Sequence, residues 1–299
     1  MFTAGTLAVR ITLLAAALAV SATLAACGTS PTGRPQIKFK SEDEMAAMGE
    51  QSFQQIRAQT PASRDQQATA IVNCVATAII GQLPVKQRFG WEVVVFDSNQ
   101  VNAFALPGRK IGVFEGIFRV ARNQDQLATV IGHEVAHVIA QHANERVSTS
   151  TAAGFGAQAV SAGGGAGGAA AGAALGVGLQ YGVLMPFNRK QETEADVLGL
   201  DLMAKAGFDP RQSLPLWENM ERQTGEKPAE FVSTHPSGET RSLNLNNQLP
   251  IALEFYEEAK KSQLIPDCGF CERGGAGQDP QCLPYSSCAS PLPEGPFHD

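Results

Sequence analysis

Two histidines stand four residues apart in the apolar segment VIGHEVAHVIAQH, residues 130–142, and this pair restricts the possible folds more than any other feature of the chain. On a helix, residues i and i+4 lie on one face, so His133 and His137 project in the same direction. The apolar residues around them predict a buried central helix over about 124–142, with Asn123 as its N-cap. Buried imidazoles need partners, so a second segment of the chain must supply them.

The sequence His133-Glu134-x-x-His137 is the H-E-x-x-H signature, in which two imidazoles bind zinc and the glutamate acts as general base. A catalytic zinc takes a third protein ligand and keeps one position open for water. The extended form of the signature has a third histidine, but Ala143 occupies that position here. His142 lies about 180° from the first histidine on an ideal helix, so we predict a helix C-terminal cation or a surface residue.

A carboxylate from a second helix is the other source of a third ligand, and the segment QETEAD, residues 191–196, provides one. Glu192 and Asp196 are again four residues apart and share a helix face. We predict that Glu192 binds the metal, whereas Asp196 accepts a hydrogen bond from a ligand imidazole and fixes its orientation. Glu194 points elsewhere on the helix. Without a metal, the same residues would form a solvated acidic helix start.

The first 26 residues predict an export signal that ends at a lipid anchor. Arg10 is their only charged residue, and an apolar run leads from it to Leu-Ala-Ala-Cys-Gly, which resembles a bacterial lipobox with Cys27 as the acylated residue. Gly28 after the cysteine resembles outer-membrane sorting in Gram-negative bacteria. Plain secretory cleavage, with Cys27 as an ordinary thiol, is the alternative.

Changes in composition and the positions of turn-forming residues divide the chain into four predicted segments. These are a signal peptide over 1–26, a tether over 27–40, a main domain over 41–265 and a Cys-rich tail over 266–299. Cys74 lies in an apolar helical stretch and is predicted to be a buried core thiol. The tail cysteines favour two disulfides over a metal knuckle, with three possible pairings among Cys268, Cys271, Cys282 and Cys288.

Three short extended segments, WEVVVFDS, VNAFALPG and KIGVFEG, predict one small sheet among helices. The stretch 147–188 carries no charge and is rich in Ala and Gly. A single membrane span there would separate the two halves of the metal site, which leaves a packed helix or flap, or a mobile lid or membrane-dipping loop. The net charge of −6 and the absence of a basic block argue against nucleic acid as a partner.

Together, H-E-x-x-H, E-x-x-x-D, the upstream VNAFALPG and the downstream THP resemble metallopeptidase family 48 over roughly residues 41–250. This gluzincin family includes the CAAX prenyl proteases and bacterial envelope quality-control proteases, and the chain is most similar to its periplasmic lipoprotein branch. The resemblance implies an α+β, zincin-like, mostly helical domain with a small sheet of three or four strands. The edge strand of that sheet would border the active site.

The resemblance also assigns roles to individual residues. It implies one Zn²⁺ per chain, held by His133, His137 and Glu192, with Glu134 as the catalytic base. An extended substrate would add to the edge strand through main-chain hydrogen bonds. The residues of that strand beside the cleft would be Asn102, Ala103 and Phe104.

Two further residues follow from the THP region. His235 resembles a histidine that in some members approaches the zinc and holds the enzyme inactive. It could equally stabilise an oxyanion or be an ordinary loop histidine. Arg241 is a candidate salt-bridge partner that supports this region. Upstream, Arg109 stands where the family usually continues with a second glycine, so that turn is expected to differ.

The expected protein is a zinc endopeptidase of the cell envelope of a Gram-negative bacterium, anchored in the outer membrane by lipid on Cys27 and facing the periplasm. Its substrates would be misfolded or mis-assembled envelope proteins. One alternative is an autoinhibited, protease-like chaperone or assembly factor of the outer membrane, plugged by His235 or by the Gly-rich flap. Another is a zinc hydrolase with a non-protein substrate, which no sequence feature favours. The sequence predicts no oligomeric state.

Overall fold

The computed structural model describes residues 27–151, 186–223, 230–236 and 241–270. The predicted signal peptide and most of the charge-free stretch lie outside the described residues, as does the tail from residue 271 with three of its cysteines. The chain forms two compact units. The described part of the first comprises residues 28–41 and 144–151 together with Cys27, and the second contains the remaining described residues.

The first unit contains a small hairpin. Strand β1, Cys27–Thr29, pairs antiparallel with strand β2, Pro35–Ile37. Arg34, in the turn between them, donates two hydrogen bonds of 2.5 and 2.7 Å to the carboxylate of Glu145, which lies in the helical segment 142–151. Such a bidentate arginine–carboxylate pair fixes the turn against that segment.

The second unit is mostly helical, which confirms the predicted class. Its helices are α1 (Glu42–Gln59), α2 (Gln66–Ile80), α3 (Gln124–Ile139), α4 (Arg189–Lys205), α5 (Ser213–Arg222), α6 (Glu230–Thr234) and α7 (Arg241–Lys261), and its 3₁₀ turns are Val85–Gln87, Glu115–Arg119 and Pro210–Gln212. Among the described residues, no helix combines the length and apolar character that a membrane crossing requires.

A three-stranded sheet lies between α2 and α3 in the chain, as predicted. Its strands are β3 (Glu92–Phe96), β4 (Ala103–Leu106) and β5 (Lys110–Phe114), in the order β3-β5-β4. Strand β3 runs parallel to β5, and β4 runs antiparallel to it. Within the described part of the chain, β4 therefore pairs through one side only and is an edge strand.

The turn from β4 to β5 accommodates arginine where the family usually has a second glycine. Gly108 and Arg109 both have positive φ, 78° and 62°, a conformation that glycine adopts most easily. The guanidinium of Arg109 donates hydrogen bonds to the carbonyl oxygens of Phe89 and, at 3.3 Å, Lys86. These contacts hold the side chain and offset the backbone strain.

Helix α3 is the buried centre of the second unit. The side chain of Asn123 accepts a hydrogen bond from the backbone N–H of Gln126, as an N-cap should. Every residue from Gln126 to His137 is buried. The helix ends at Ile139, three residues earlier than predicted, because Gln141 adopts a left-handed conformation with φ of 53°.

Helices α3 and α4 approach each other closely at a pair of glycines. A Cβ atom on Gly199 would lie 2.8 Å from the backbone nitrogen of His133, and one on Gly132 would lie 2.8 Å from the carbonyl oxygen of Gly199. Larger residues would force the two helices apart. The glycines thus bring the acidic first turns of α4 beside the histidines of α3.

The structure corrects two predictions about cysteines. Cys74, predicted as a free core thiol, forms a disulfide with Cys268, with a Cα–Cα distance of 5.6 Å across 194 residues of sequence. Cys268 is therefore not paired within the tail. The link joins α2 to the segment that follows α7. Spacing along the chain favoured local pairing, but the fold brings the segment after α7 to α2.

Candidate metal centre

Four buried side chains from three parts of the fold converge on one point. His133 and His137 come from α3, Glu192 from the first turn of α4, and His235 from the residue after α6. Each contributes one donor atom, and these atoms all lie within 4.8 Å of one another. The sequence predicted three of them as ligands and the fourth as a neighbour.

The spacing of the donor atoms suits a cation with tetrahedral coordination. The Nε2 atoms of His133 and His137 are 3.0 Å apart. The two carboxylate oxygens of Glu192 each lie 3.4 Å from one of these nitrogens. Zinc bonds of about 2.0–2.1 Å in a tetrahedron place the donors about 3.3 Å apart. Two imidazoles and a carboxylate at these distances fit Zn²⁺.

His235 provides a fourth donor to this group. Its Nδ1 lies 3.1 Å from Nε2 of His133 and 3.2 Å from Oε1 of Glu192. Its Nε2 lies 3.4 Å from Oε1 of Glu134. His235 therefore lies between the ligand group and the carboxylate beside it.

Two aromatic rings stack on His235, and neither was predicted from the sequence. Phe231, one helical turn earlier, stacks on His235 at 4.4 Å between centroids. Phe187 stacks on His235 at 5.3 Å and on His137 at 3.8 Å. The backbone N–H of Phe187 donates to the carbonyl of Thr234, which ties the segment before α4 to the end of α6. A Pro-Phe pair at the end of the charge-free stretch was the available signal.

Asp196 and Arg241 place charged groups beside the side chains proposed as ligands. Oδ1 of Asp196 lies 3.0 Å from Nδ1 of His133. The Nε of Arg241 donates to Oδ2 of Asp196 at 2.7 Å, and Nη2 donates to Oε2 of Glu192. Arg241 also donates to the carbonyl of His235 at 3.3 Å and lies over the ring of Trp217. One buried guanidinium thus contacts two acidic side chains and the backbone of His235.

The buried charges shift one another's pKa values. Burial raises the pKa of Glu134 and the nearby Glu192 raises it further, against the opposing effect of His235 and His133. Burial also disfavours charge on His133, but Asp196 and Glu192 outweigh it and raise its pKa to about 9. Burial would raise the pKa of Glu192, yet His235 and the other histidines hold it well below its usual value. Glu192 is therefore an anion facing imidazoles.

Strand β4 passes beside Glu134, and the backbone N–H of Ala105 contacts its carboxylate. Of the three predicted edge-strand residues, Asn102 precedes β4 and its side-chain oxygen is buried without a hydrogen-bond partner among the described residues. Ala103 begins the strand. The ring of Phe104 packs over Gly112 with Phe96 and Phe114, so its side chain belongs to the core. The backbone of the segment reaches the centre at Ala105.

The prediction that His142 is a helix-end cation or a surface residue was wrong. His142 is fully buried, and its Nδ1 lies 2.8 Å from Nδ1 of His137. The helical angle did not apply because α3 stops at Ile139 and the left-handed Gln141 turns the chain back. Glu194 points away from the ligand group, as expected, and its Oε2 lies 3.1 Å from Nε2 of His142.

An H-E-x-x-H helix whose imidazoles meet a glutamate from a second helix defines a gluzincin-type metallopeptidase centre. Residues 62–248, which include all four donors, match the model of Peptidase family M48. The chain belongs to this family.

Individual relatives cover the same region. The mitochondrial metalloendopeptidase OMA1 of Schizosaccharomyces pombe is 40% identical over 184 residues, which are 60% of this chain and 50% of that protein. The beta-barrel assembly-enhancing protease of Yersinia pestis is 28% identical over 216 residues, 69% of this chain and 44% of that protein. The Escherichia coli protein of the same name is 28% identical over 211 residues. The chain spans about half the length of the curated relatives it matches.

Proposed function

We propose that this chain is a zinc-dependent endopeptidase. The observation that carries the proposal is the meeting of two α3 imidazoles and an α4 carboxylate, with Glu134 at the same point. Membership of a metallopeptidase family supports it. The bound zinc would supply Lewis-acid activation of water and of the scissile carbonyl.

Glu134 would take the proton from the attacking water and pass it to the leaving amine. Its burial favours the first transfer, because a raised pKa makes the carboxylate a stronger base towards the proton of the water. His133, His137 and Glu192 would hold the metal, and Asp196 and Arg241 would keep these ligands in place.

The substrate would bind as an extended peptide along β4. Among the residues that the structure describes, this strand is paired on one side only, and the backbone of Ala105 contacts the proposed base. Main-chain hydrogen bonds to a free edge accept many sequences, which suits an enzyme that degrades unfolded proteins. Misfolded or mis-assembled envelope proteins would then be the natural substrates.

The cell envelope of a Gram-negative bacterium is the proposed location, with lipid on Cys27 as the anchor in the outer membrane and the enzyme facing the periplasm. The lipobox-like sequence supports this placement. The Cys74–Cys268 disulfide supports an oxidising compartment. The similarity to two bacterial proteins named for β-barrel assembly supports substrates of the outer membrane.

The test compares wild type with Glu134→Gln, using β-casein as substrate and measuring zinc by mass spectrometry. We expect the variant to keep about one zinc per chain and to lose cleavage by more than about 100-fold, because a general base contributes about 10²–10⁴. Glu218→Gln, an exposed change of the same kind on α5, should leave activity unchanged. Cleavage by Glu134→Gln at the wild-type rate would refute the proposal.

A second candidate function is that of a protease-like chaperone or assembly factor held inactive by His235. The position of His235 within the donor group favours it, because a fourth protein donor would compete with the water that hydrolysis needs. If His235 is a plug, His235→Ala should raise casein cleavage. If His235 instead stabilises the oxyanion, the same variant should lower kcat. No change with either folded or unfolded substrate would refute both roles.

A further inference from the structure

A chain of buried polar contacts stands behind one of the ligand histidines. Nδ1 of His142 lies 2.8 Å from Nδ1 of His137, and Nε2 of His142 lies 3.1 Å from Oε2 of Glu194. All three side chains are buried. This series of contacts leads away from the donor atoms, so neither His142 nor Glu194 is a ligand.

The chemistry of these atoms sets the positions of the protons. An ionised Glu194 can only accept hydrogen bonds, so Nε2 of His142 must carry hydrogen. In a neutral imidazole, Nδ1 of His142 is then the acceptor, and Nδ1 of His137 must donate to it. This leaves the lone pair of His137 on Nε2, which is the nitrogen that faces the ligand group. The opposite tautomer would direct an N–H at the cation.

Residues just after α3 and in the first turns of α4 hold His142 in this position. The left-handed Gln141 returns His142 towards the preceding turn of α3. The side chain of Gln191 forms a capping box with Asn188 and donates to the carbonyl of His142 at 3.4 Å. The first turns of α4 therefore hold the backbone of His142 through Gln191 and its ring through Glu194.

We propose that His142 and Glu194 are positioning residues that fix the tautomer and ring orientation of the ligand His137. The other ligand, His133, has Asp196 directly behind it at 3.0 Å, whereas His137 reaches its carboxylate through an imidazole. Each ligand histidine thus has an acidic residue of α4 behind it. The inference rests on the proposed zinc peptidase and adds the residues that orient its second ligand.

The experiment measures zinc affinity of the full chain by competition with a chromophoric chelator, and the visible spectrum of the Co²⁺-substituted protein. His142→Phe keeps the ring volume and removes the acceptor. We expect it to weaken zinc binding by about 10–100-fold, the usual effect of losing an outer hydrogen-bond partner of a ligand, and to alter the Co²⁺ spectrum. His142→Asn places an amide oxygen near the position of Nδ1 and should restore most of the affinity.

A second pair of variants tests the contact between Glu194 and His142. It keeps the proposal testable if His142→Phe does not fold. Glu194→Met should weaken zinc binding, whereas Glu194→Gln keeps an acceptor and should retain it. Thr129→Val is the control, because it removes a buried hydrogen bond from α3 one turn before His133. It should lower stability and leave zinc affinity unchanged.

The outcomes separate this inference from the proposed function. Folded His142→Phe or Glu194→Met with wild-type zinc affinity and an unchanged Co²⁺ spectrum would overturn the positioning role, even in an active peptidase. Equal losses in the Phe and Asn variants would also overturn it, because they would indicate packing rather than hydrogen bonding. Failure of the wild type to bind zinc would instead remove the proposed function itself.

Discussion

Replacing Arg241 with methionine should destabilise the protein strongly. Arg241 is 5% exposed and donates to the carboxylates of Asp196 and Glu192 and to the carbonyl of His235. Its guanidinium carbon also lies 3.9 Å from the ring centroid of Trp217. Methionine keeps much of the volume but leaves the buried acidic groups without their cation.

The magnitude follows from the burial of the partners. Removing one member of a buried ion pair costs about 3–5 kcal/mol, because the remaining charge is left uncompensated. At about 2–4 °C per kcal/mol for a domain of this size, the thermal midpoint should fall by about 6–20 °C. Zinc should recover part of this loss, because a cation beside Glu192 compensates the same carboxylate. A ligand at 1,000 times its Kd stabilises by about 4.1 kcal/mol.

Urea and thermal unfolding of metal-free and zinc-loaded Arg241→Met measure both effects. The matched control is Arg211→Met, which removes a guanidinium that also contacts an aspartate but is 62% exposed. Exposed pairs contribute about 0–1 kcal/mol, so the control should unfold close to wild type. An Arg241→Met protein within about 0.5 kcal/mol of wild type without metal would refute the argument that this arginine compensates buried charge.

Three other changes follow from the packing. Gly199→Ala places a methyl group where the α3 backbone lies, so it should cost about 1–3 kcal/mol in urea unfolding and weaken zinc binding; wild-type values would contradict the close-approach argument. Replacing both Cys74 and Cys268 with alanine should cost about 2–5 kcal/mol, and reductant should then no longer lower the thermal midpoint. Phe187→Ala removes a ring stacked on two histidines and should destabilise the protein by about 3–5 kcal/mol in calorimetry. An unchanged thermal midpoint would contradict this expectation.

Periodicity was sufficient to predict which side chains of the two helices would share a face. The i, i+4 spacings of His133 with His137 and of Glu192 with Asp196 place each pair on one helix face, and a metal needs both faces. The structure brings the two pairs together, with His235 and Arg241 beside them. The three short extended segments joined by tight turns likewise predicted a small sheet.

The predictions that failed concern contacts that local sequence spacing does not encode. A single left-handed residue, Gln141, moved His142 from the predicted outer face into the site. The partner of Cys74 lies 194 residues away, and no local spacing encodes such a pairing. Phe187 stacks on His137, 50 residues earlier in the chain, and no helical or strand spacing links two such positions.

Metal analysis of wild type beside Glu192→Ala tests the central claim most directly. Donors from α3 and α4 converge on one point, so wild type should carry one zinc per chain and the variant should lose both zinc and casein cleavage. X-ray absorption at the zinc edge should show nitrogen and oxygen neighbours at about 2.0–2.1 Å in the wild type. A Glu192→Ala protein with wild-type zinc content and affinity would contradict the account, since the carboxylate of α4 would then not be a ligand.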